Sequence, residues 1–278
     1  MEGRTTIMKK MALSFVKCIT FFVGWAVAAS LLPLPPTEDH AIWRLWAELI
    51  PLLSVIAFTL LFWLIEKRSI SLNLVKAPAR GFLTGAAAGA CWLAAPVLIL
   101  YAAHSIRFEG VNTVENFPVW VLAALLNVIM QELLVRGYLY QLLKQRHSLA
   151  AAVIVTTALF TLMHGGAFEA GPLPVLNVLT MSLLMTVVLE YTGSIIAPTV
   201  MHFIWNGVGA LVLGGVSLAD DYPHLLNMAV SGSPLLSGGT YRIEGSLIVL
   251  ITNAALIGSF LLLCRRRRRV RQDLQSKG

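Results

Sequence analysis

Glu132 and Arg136 lie four residues apart within an otherwise uncharged apolar stretch, Val119–Leu143. Four residues is about one helical turn, so both side chains are predicted to lie on the same helix face. A charged side chain near the centre of a bilayer costs roughly 2.5–3.5 kcal/mol on insertion scales. The pair is therefore a candidate functional site, in which Arg136 holds Glu132 as an oriented carboxylate that can take a proton from water. An ion pair that only ties two helices together is the structural alternative.

Two further polar motifs lie in or at the ends of other apolar segments. His164 follows Phe160 by four residues at the end of one segment, and His202 and Asn206 have the same spacing in another. A histidine at a helix end is also typical of an interfacial or core position, so His164 alone is a weak signal. His202 and Asn206 share a helix face, and both would be costly facing lipid. The asparagine amide can donate hydrogen bonds to a developing oxyanion.

If these helices converge, they place one carboxylate, two imidazoles and an amide around a small polar cavity. That set is suited to hydrolysis, because it offers a base for water, proton carriers and oxyanion stabilisation. Glutamate and histidine are also zinc ligands, so His164 and His202 are predicted as ligands of a divalent metal in the alternative mechanism. The sequence has no HExxH motif, which argues against a conventional zincin site.

The composition is that of a membrane protein. The 278 residues are 57% hydrophobic and only 13% charged, against about 25% charged in soluble domains. The formal net charge is +7, but the basic residues cluster at the ends of apolar segments, where they act as topology signals. We therefore predict no nucleic-acid partner. The three cysteines show no CxxC or CxxH spacing and predict neither a disulfide framework nor a zinc knuckle.

The predicted fold class is all-α, a polytopic membrane helical bundle of about eight transmembrane helices. A spanning helix needs about 20 apolar residues. The predicted spans are Met11–Leu32, Ala47–Ile65, Gly81–Ala103, Val119–Leu143, Leu149–His164, Leu173–Leu189, Ser194–Gly214 and Gly245–Cys264. They form one integrated membrane domain with three parts. Residues 1–118 hold three spans, residues 119–214 hold the motifs, and residues 215–278 hold an outer loop, the last span and a basic tail.

Charge predicts the orientation of these spans. Most of the 21 lysine and arginine residues, including the run Arg265–Arg269, fall on one side, while the other side keeps Arg44, Arg107 and Arg242. The positive-inside rule then places both termini in the cytoplasm of a bacterial-type plasma membrane. The first apolar segment could instead be a signal peptide, but its length favours a retained helix.

The three motifs, in this order, resemble those of the CPBP family, the CAAX prenyl-protease and bacteriocin-processing (Abi) intramembrane proteases. The family signatures EExxxR, FxxxH and HxxxN are represented by Gln131-Glu132-x-x-x-Arg136, Phe160-x-x-x-His164 and His202-x-x-x-Asn206. The resemblance covers about a third of the chain and implies proteolysis within the membrane, by either a metalloprotease or a metal-free glutamate mechanism. Gln131 departs from the pattern. In the prenyl-protease branch the first glutamate is thought to activate water, and a glutamine has no titratable carboxylate.

The resulting hypothesis is an intramembrane endopeptidase that cleaves a peptide or protein near the cytoplasmic leaflet. Glu132 activates water, His164 and His202 assist or hold a metal such as zinc, and Asn206 stabilises the oxyanion. Gln131, Arg136 and Phe160 support them. A second hypothesis, motivated by Gln131, is a catalytically inactive relative that acts as an immunity protein or an envelope scaffold. A transporter is the third, but no internal repeat supports it.

Overall fold

The computed structural model of the chain describes residues 2–219 and 221–276. Helices account for most of these residues, and two short strands complete the regular structure. The helices are α1 (Glu2–Leu31), α2 (His40–Ile65), α3 (Pro78–Ala102), α4 (Phe117–Glu132), α5 (Tyr140–Arg146), α6 (Leu149–Met163), α7 (Gly165–Ala170), α8 (Pro172–Thr192), α9 (Ile196–Phe203), α10 (Pro234–Ser237) and α11 (Leu247–Gln275). The π-helical segments are π1 (Leu133–Leu139) and π2 (Ile204–Val212), a 3₁₀ helix spans Gly239–Gly245, and the strands are β1 (Ile106–Val111) and β2 (Leu226–Val230).

The chain divides into two compact units. The first unit comprises Met1–Leu74 and Asn116–Leu159, and the second comprises Val75–Glu115 and Phe160–Gly278. In the first unit, α2 packs along α4 and α1 packs against α2. In the second, α11 packs on α8 and α3 packs on α9, while β1 and β2 form a small antiparallel sheet. The predicted all-α membrane bundle is thus confirmed, with one two-stranded sheet added to it.

Six helical stretches in the described part of the chain are long and apolar enough to cross a membrane. They are Met11–Leu31, His40–Ile65, Pro78–Ala102, Phe117–Arg146, Pro172–Thr192 and Gly239–Val270. The other two predicted spans correspond to the shorter apolar helices Leu149–Met163 and Ile196–Val212. The prediction of about eight spans therefore corresponds to six full-length stretches and two that are shorter than a bilayer requires of a straight helix.

The second span begins earlier than its hydropathy indicates. Helix α2 starts at His40, seven residues before the predicted Ala47, because Asp39 caps it. The Asp39 carboxylate accepts hydrogen bonds from the backbone N–H groups of Ala41 and Ile42, at 2.8 and 3.1 Å. This is the usual role of an aspartate at a helix N-terminus. As a result Arg44, which the sequence placed in an outer loop, lies within α2.

Residues predicted to lie on the same side of the membrane contact one another within each unit. In the first unit, Glu66 accepts hydrogen bonds from Lys17 and Arg146, all three on the predicted inner side. Burial alone would raise the pKa of Glu66, but the positive charges of Lys17 and Arg146 hold the pKa of this carboxyl below its usual value. In the second unit β1 pairs with β2, and both belong to predicted outer loops. These contacts agree with the predicted alternation of loops. The cytoplasmic position of the termini stays a prediction, and Met1 and Gly278 lie outside the described residues.

A row of glycines lets α3 approach α9 closely, which positions the helix that carries His202. A Cβ atom on Gly85 would lie 2.5 Å from the carbonyl oxygen of Ala197 and 2.9 Å from Cβ of Val200. A Cβ atom on Gly89 would lie 3.0 Å from Cα of Met201. Such small-residue faces are a common way for membrane helices to pack backbone against backbone.

We expect Gly85→Ala to destabilise the protein by about 1–3 kcal/mol, the usual cost of overpacking a close contact. Gly258 is the matched control, since it lies in α11 with no atom within 4 Å of an added Cβ. Gly258→Ala should leave the thermal unfolding midpoint in detergent unchanged or raise it, because alanine favours helix over glycine. A Gly85→Ala protein as stable as Gly258→Ala would contradict the close packing of α3 on α9.

Candidate active site

The first polar cluster joins the end of α4 to π1. Arg136 Nη1 donates to both carboxylate oxygens of Glu132, at 2.9 Å to Oε1 and 3.0 Å to Oε2. Both side chains have 0% exposure, so the pair is fully withdrawn from solvent and lipid. The guanidinium neutralises the buried carboxylate and fixes its orientation, as the four-residue spacing predicted.

The backbone changes conformation within this motif. Arg136 lies in π1, and the chain leaves helical geometry at Gly137, with φ −76° and ψ −115°. Tyr138, the next residue, stacks on Phe21 at 5.2 Å between ring centroids and packs against Phe62 at 5.5 Å. Local π-helical turns occur frequently at functional sites. Here the buried aromatic rings hold the turn that carries Arg136.

Gln131, the departure from the family motif, hydrogen-bonds away from Glu132. Its Nε2 donates to Oδ1 of Asn127 at 2.7 Å, and Nδ2 of Asn127 donates to Oε2 of Glu48 at 2.8 Å. Arg44 completes the row with a 3.3 Å ion pair to Glu48. Sequence reasoning missed Glu48 and Asn127. The available signal was the i,i+4 spacing of Arg44 and Glu48 at the start of an apolar segment, the same spacing that identified Glu132 and Arg136.

The second polar cluster begins with the FxxxH motif. His164 lies between α6 and α7, where the backbone is not helical (φ −96°, ψ 61°). Its Nδ1 is 2.7 Å from the carbonyl oxygen of Phe160. A carbonyl only accepts, so Nδ1 carries the proton and Nε2 is the basic nitrogen of the neutral ring. The centroids of the Phe160 and His164 rings are 4.4 Å apart.

The HxxxN motif meets the FxxxH motif at the Phe160 ring. The His202 ring lies 6.0 Å from the Phe160 ring, at an interplanar angle of 63°. His202 ends α9 and Asn206 follows in π2, where its Nδ2 lies 3.4 Å from Nε2 of His202. His202 and Asn206 are 1% and 6% exposed. The structure therefore brings Phe160, His164, His202 and Asn206 together in the second unit.

A stack of two indoles supports the Asn206 segment. Trp205 lies on Trp92 of α3 at 4.1 Å between ring centroids, with an interplanar angle of 20°. Trp92 Nε1 in turn donates to Oδ1 of Asn253 in α11, at 2.6 Å. All three side chains are buried. The position of π2 is thus fixed by packing between α3 and α11 as well as by the glycine row.

The described residues do not form a conventional metal centre. Zinc takes at least three protein ligands in its catalytic sites. Within residues 2–219 and 221–276, no group of three or more His, Cys, Asp or Glu side chains could hold a metal ion. His164 and His202, the predicted ligands, contribute two. The metal-binding role of these two histidines stays a prediction.

The sequence-predicted site residues fall into two clusters. Gln131, Glu132 and Arg136 belong to the first unit, and Phe160, His164, His202 and Asn206 belong to the second. The contacts of Glu132 with Arg136 and of His202 with Asn206 are those that the four-residue spacings predicted. The meeting of the two clusters around one peptide bond stays a prediction.

The comparison with known proteins gives a family match in the region that contains the three motifs. Residues 113–208 match the family described as type II CAAX prenyl endopeptidase Rce1-like. This segment is similar to that family. The match spans roughly a third of the chain, contains all three motifs and confirms the resemblance to the CPBP family. It supports a CAAX-type intramembrane endopeptidase function in general terms. No curated protein and no solved structure matches the chain.

Proposed function

We propose that this protein is an intramembrane endopeptidase that hydrolyses a peptide bond with water activated by Glu132. The observation that carries the proposal is the fully buried Glu132–Arg136 pair within the Rce1-like segment. The Arg136 guanidinium compensates and orients the Glu132 carboxylate, and an ionised carboxylate is the form that can accept a proton from water. The substrate is a peptide or protein in the bilayer. We place the reaction near the cytoplasmic leaflet of a bacterial-type plasma membrane, with both termini in the cytoplasm.

The proposed reaction is a direct addition of water to the scissile carbonyl. Glu132 takes one proton from water as the water oxygen bonds to the carbonyl carbon, whose oxygen becomes an oxyanion. Asn206 Nδ2 donates to that oxyanion. The C–N bond then breaks, and the leaving nitrogen receives a proton that His164 or His202 helps to transfer. The products are a carboxylate and an amine, and Glu132 returns to its ionised form.

The experiment that tests this function uses purified protein in liposomes with a panel of membrane-embedded peptides. The panel includes prenylated and unprenylated peptides that end in CAAX and peptides with leader-type sequences, and mass spectrometry locates the cut. We expect the wild type to cleave at least one of them, and Glu132→Ala and His202→Ala to cleave none. Processing by these variants at the wild-type rate would reject the assignment. A zinc chelator separates the two mechanisms: cleavage that persists supports the metal-free glutamate mechanism, and cleavage that is lost supports a metal held by His164 and His202.

One observation favours a second function, that of a binding protein without activity. Gln131 stands where the family motif has its first glutamate, and an amide cannot serve as a general base. In this alternative the protein acts as an immunity or envelope scaffold that binds a peptide and leaves it intact. Peptide binding by the wild type without any cleavage would favour it.

A further inference from the structure

Four polar side chains form a continuous row between α2 and α4 in the first unit. Arg44 is paired with Glu48 at 3.3 Å, Asn127 donates to Glu48 at 2.8 Å, and Gln131 donates to Asn127 at 2.7 Å. The side chains of Arg44 and Glu48 are 15% and 7% exposed, in the first turns of the apolar helix α2. Polar groups in such a position are costly, which makes the row a candidate for function rather than for solvation.

The chemistry of the row fixes the direction of each amide. A carboxylate only accepts hydrogen bonds, so Glu48 must face the Nδ2 donor of Asn127. This leaves Oδ1 of Asn127 towards Gln131, and a carbonyl oxygen also only accepts. Gln131 therefore presents Nε2 to Asn127 and turns Oε1 away. Arg44 supports this order, because its guanidinium only donates and its ion pair with Glu48 at 3.3 Å uses Glu48 as an acceptor.

The row ends in an acceptor that needs a donor. Oε1 of Gln131 is buried and receives no hydrogen bond from any residue in the described part of the chain. A buried polar atom without a partner is destabilising, so such an atom is expected to bind a ligand group or a water. Gln131 directly precedes Glu132, the base of the proposed reaction.

We propose that Arg44, Glu48 and Asn127 are positioning residues that fix Gln131 Oε1 as a binding site for a hydrogen-bond donor, either a backbone N–H of the substrate or the hydrolytic water. This inference rests on the proposed function. The same arrangement explains why position 131 holds a glutamine where the family motif has a glutamate. A glutamate at position 131 would set a carboxylate oxygen against Oδ1 of Asn127, two acceptors with no proton between them. The row fits an amide at this position.

The test is a double-mutant cycle between Glu48 and Gln131. Glu48→Gln keeps the shape of the side chain but can donate as well as accept, so the amide directions are no longer fixed. Gln131→Met removes the acceptor. We expect each single variant to lower kcat/KM roughly tenfold, the effect of losing one hydrogen bond. The kcat/KM of the double variant should be no lower than that of the less active single variant. A fall in kcat alone identifies water as the donor, and a rise in KM identifies the substrate N–H.

A further variant and a binding measurement complete the test. Asn127→Leu interrupts the row and leaves the Arg44–Glu48 pair in place, so it replaces Glu48→Gln if that variant fails to fold. Affinity for a fluorescent peptide is measured with the same proteins. The inference would be overturned if the loss in the double variant equalled the product of the two single losses. It would also be overturned if neither kcat/KM nor peptide affinity changed in any variant. No cleavage by the wild type, with the non-additive losses seen in affinity, would instead reject the proposed function and retain the binding site.

Discussion

Replacing Glu132 by glutamine together with Arg136 by leucine is expected to abolish peptide cleavage in a protein that still folds. Loss of a general base costs on the order of 10²- to 10⁴-fold in rate. The double change removes both buried charges at once, so neither is left uncompensated in a site with 0% exposure. The measurement is single-turnover cleavage in liposomes, with the thermal unfolding midpoint recorded for each protein.

The single variants are the control for this design. Removing one partner of a buried pair typically destabilises a protein by about 3–5 kcal/mol, because the other charge remains buried and unpaired. Glu132→Gln and Arg136→Leu alone should therefore unfold at lower temperature than the double variant. A folded double variant that cleaves at the wild-type rate would show that Glu132 serves the structure and not the reaction.

Asn206→Leu is expected to lower kcat by about 10²- to 10³-fold with little change in KM, the effect of removing one oxyanion donor. The substitution keeps roughly the size of a side chain that is 6% exposed, so the packing of π2 should persist. Steady-state kinetics of the same peptide provide the measurement.

A donor-retaining variant separates catalysis from packing at this position. Asn206→Gln carries the amide donor on one more methylene group and should keep more activity than Asn206→Leu. Equal rates for the wild type and Asn206→Leu would remove Asn206 from the mechanism.

Local spacing predicted the two clusters because their contacts follow helix periodicity. Glu132 meets Arg136, and His202 meets Asn206, across single turns, and these contacts need no knowledge of the tertiary fold. The length of the apolar runs likewise identified the membrane helices without knowledge of the tertiary fold. Helix starts were less accurate, since the Asp39 cap that begins α2 at His40 lies outside the apolar run.

The remaining features depend on tertiary contacts or on backbone detail that hydropathy does not carry. Glu48 and Asn127 are 79 residues apart in sequence, and only the packing of α2 on α4 joins them. The π-helical turns at Arg136 and Asn206 are equally invisible in the sequence, because the same residues would fit an α-helix. The spacing of Gly81, Gly85 and Gly89 was a readable signal for close helix packing.

The most direct test of whether Glu132 serves as base beside a glutamine is to compare cleavage by the wild type and by Gln131→Glu. Both proteins are reconstituted in the same liposomes with the same peptide panel, and cut products are quantified by mass spectrometry. We expect the wild type to cleave and Gln131→Glu to cleave more slowly, because the glutamate conflicts with Asn127. Cleavage by Gln131→Glu with none by the wild type would contradict the role of Glu132 as base and identify the natural protein as a binder.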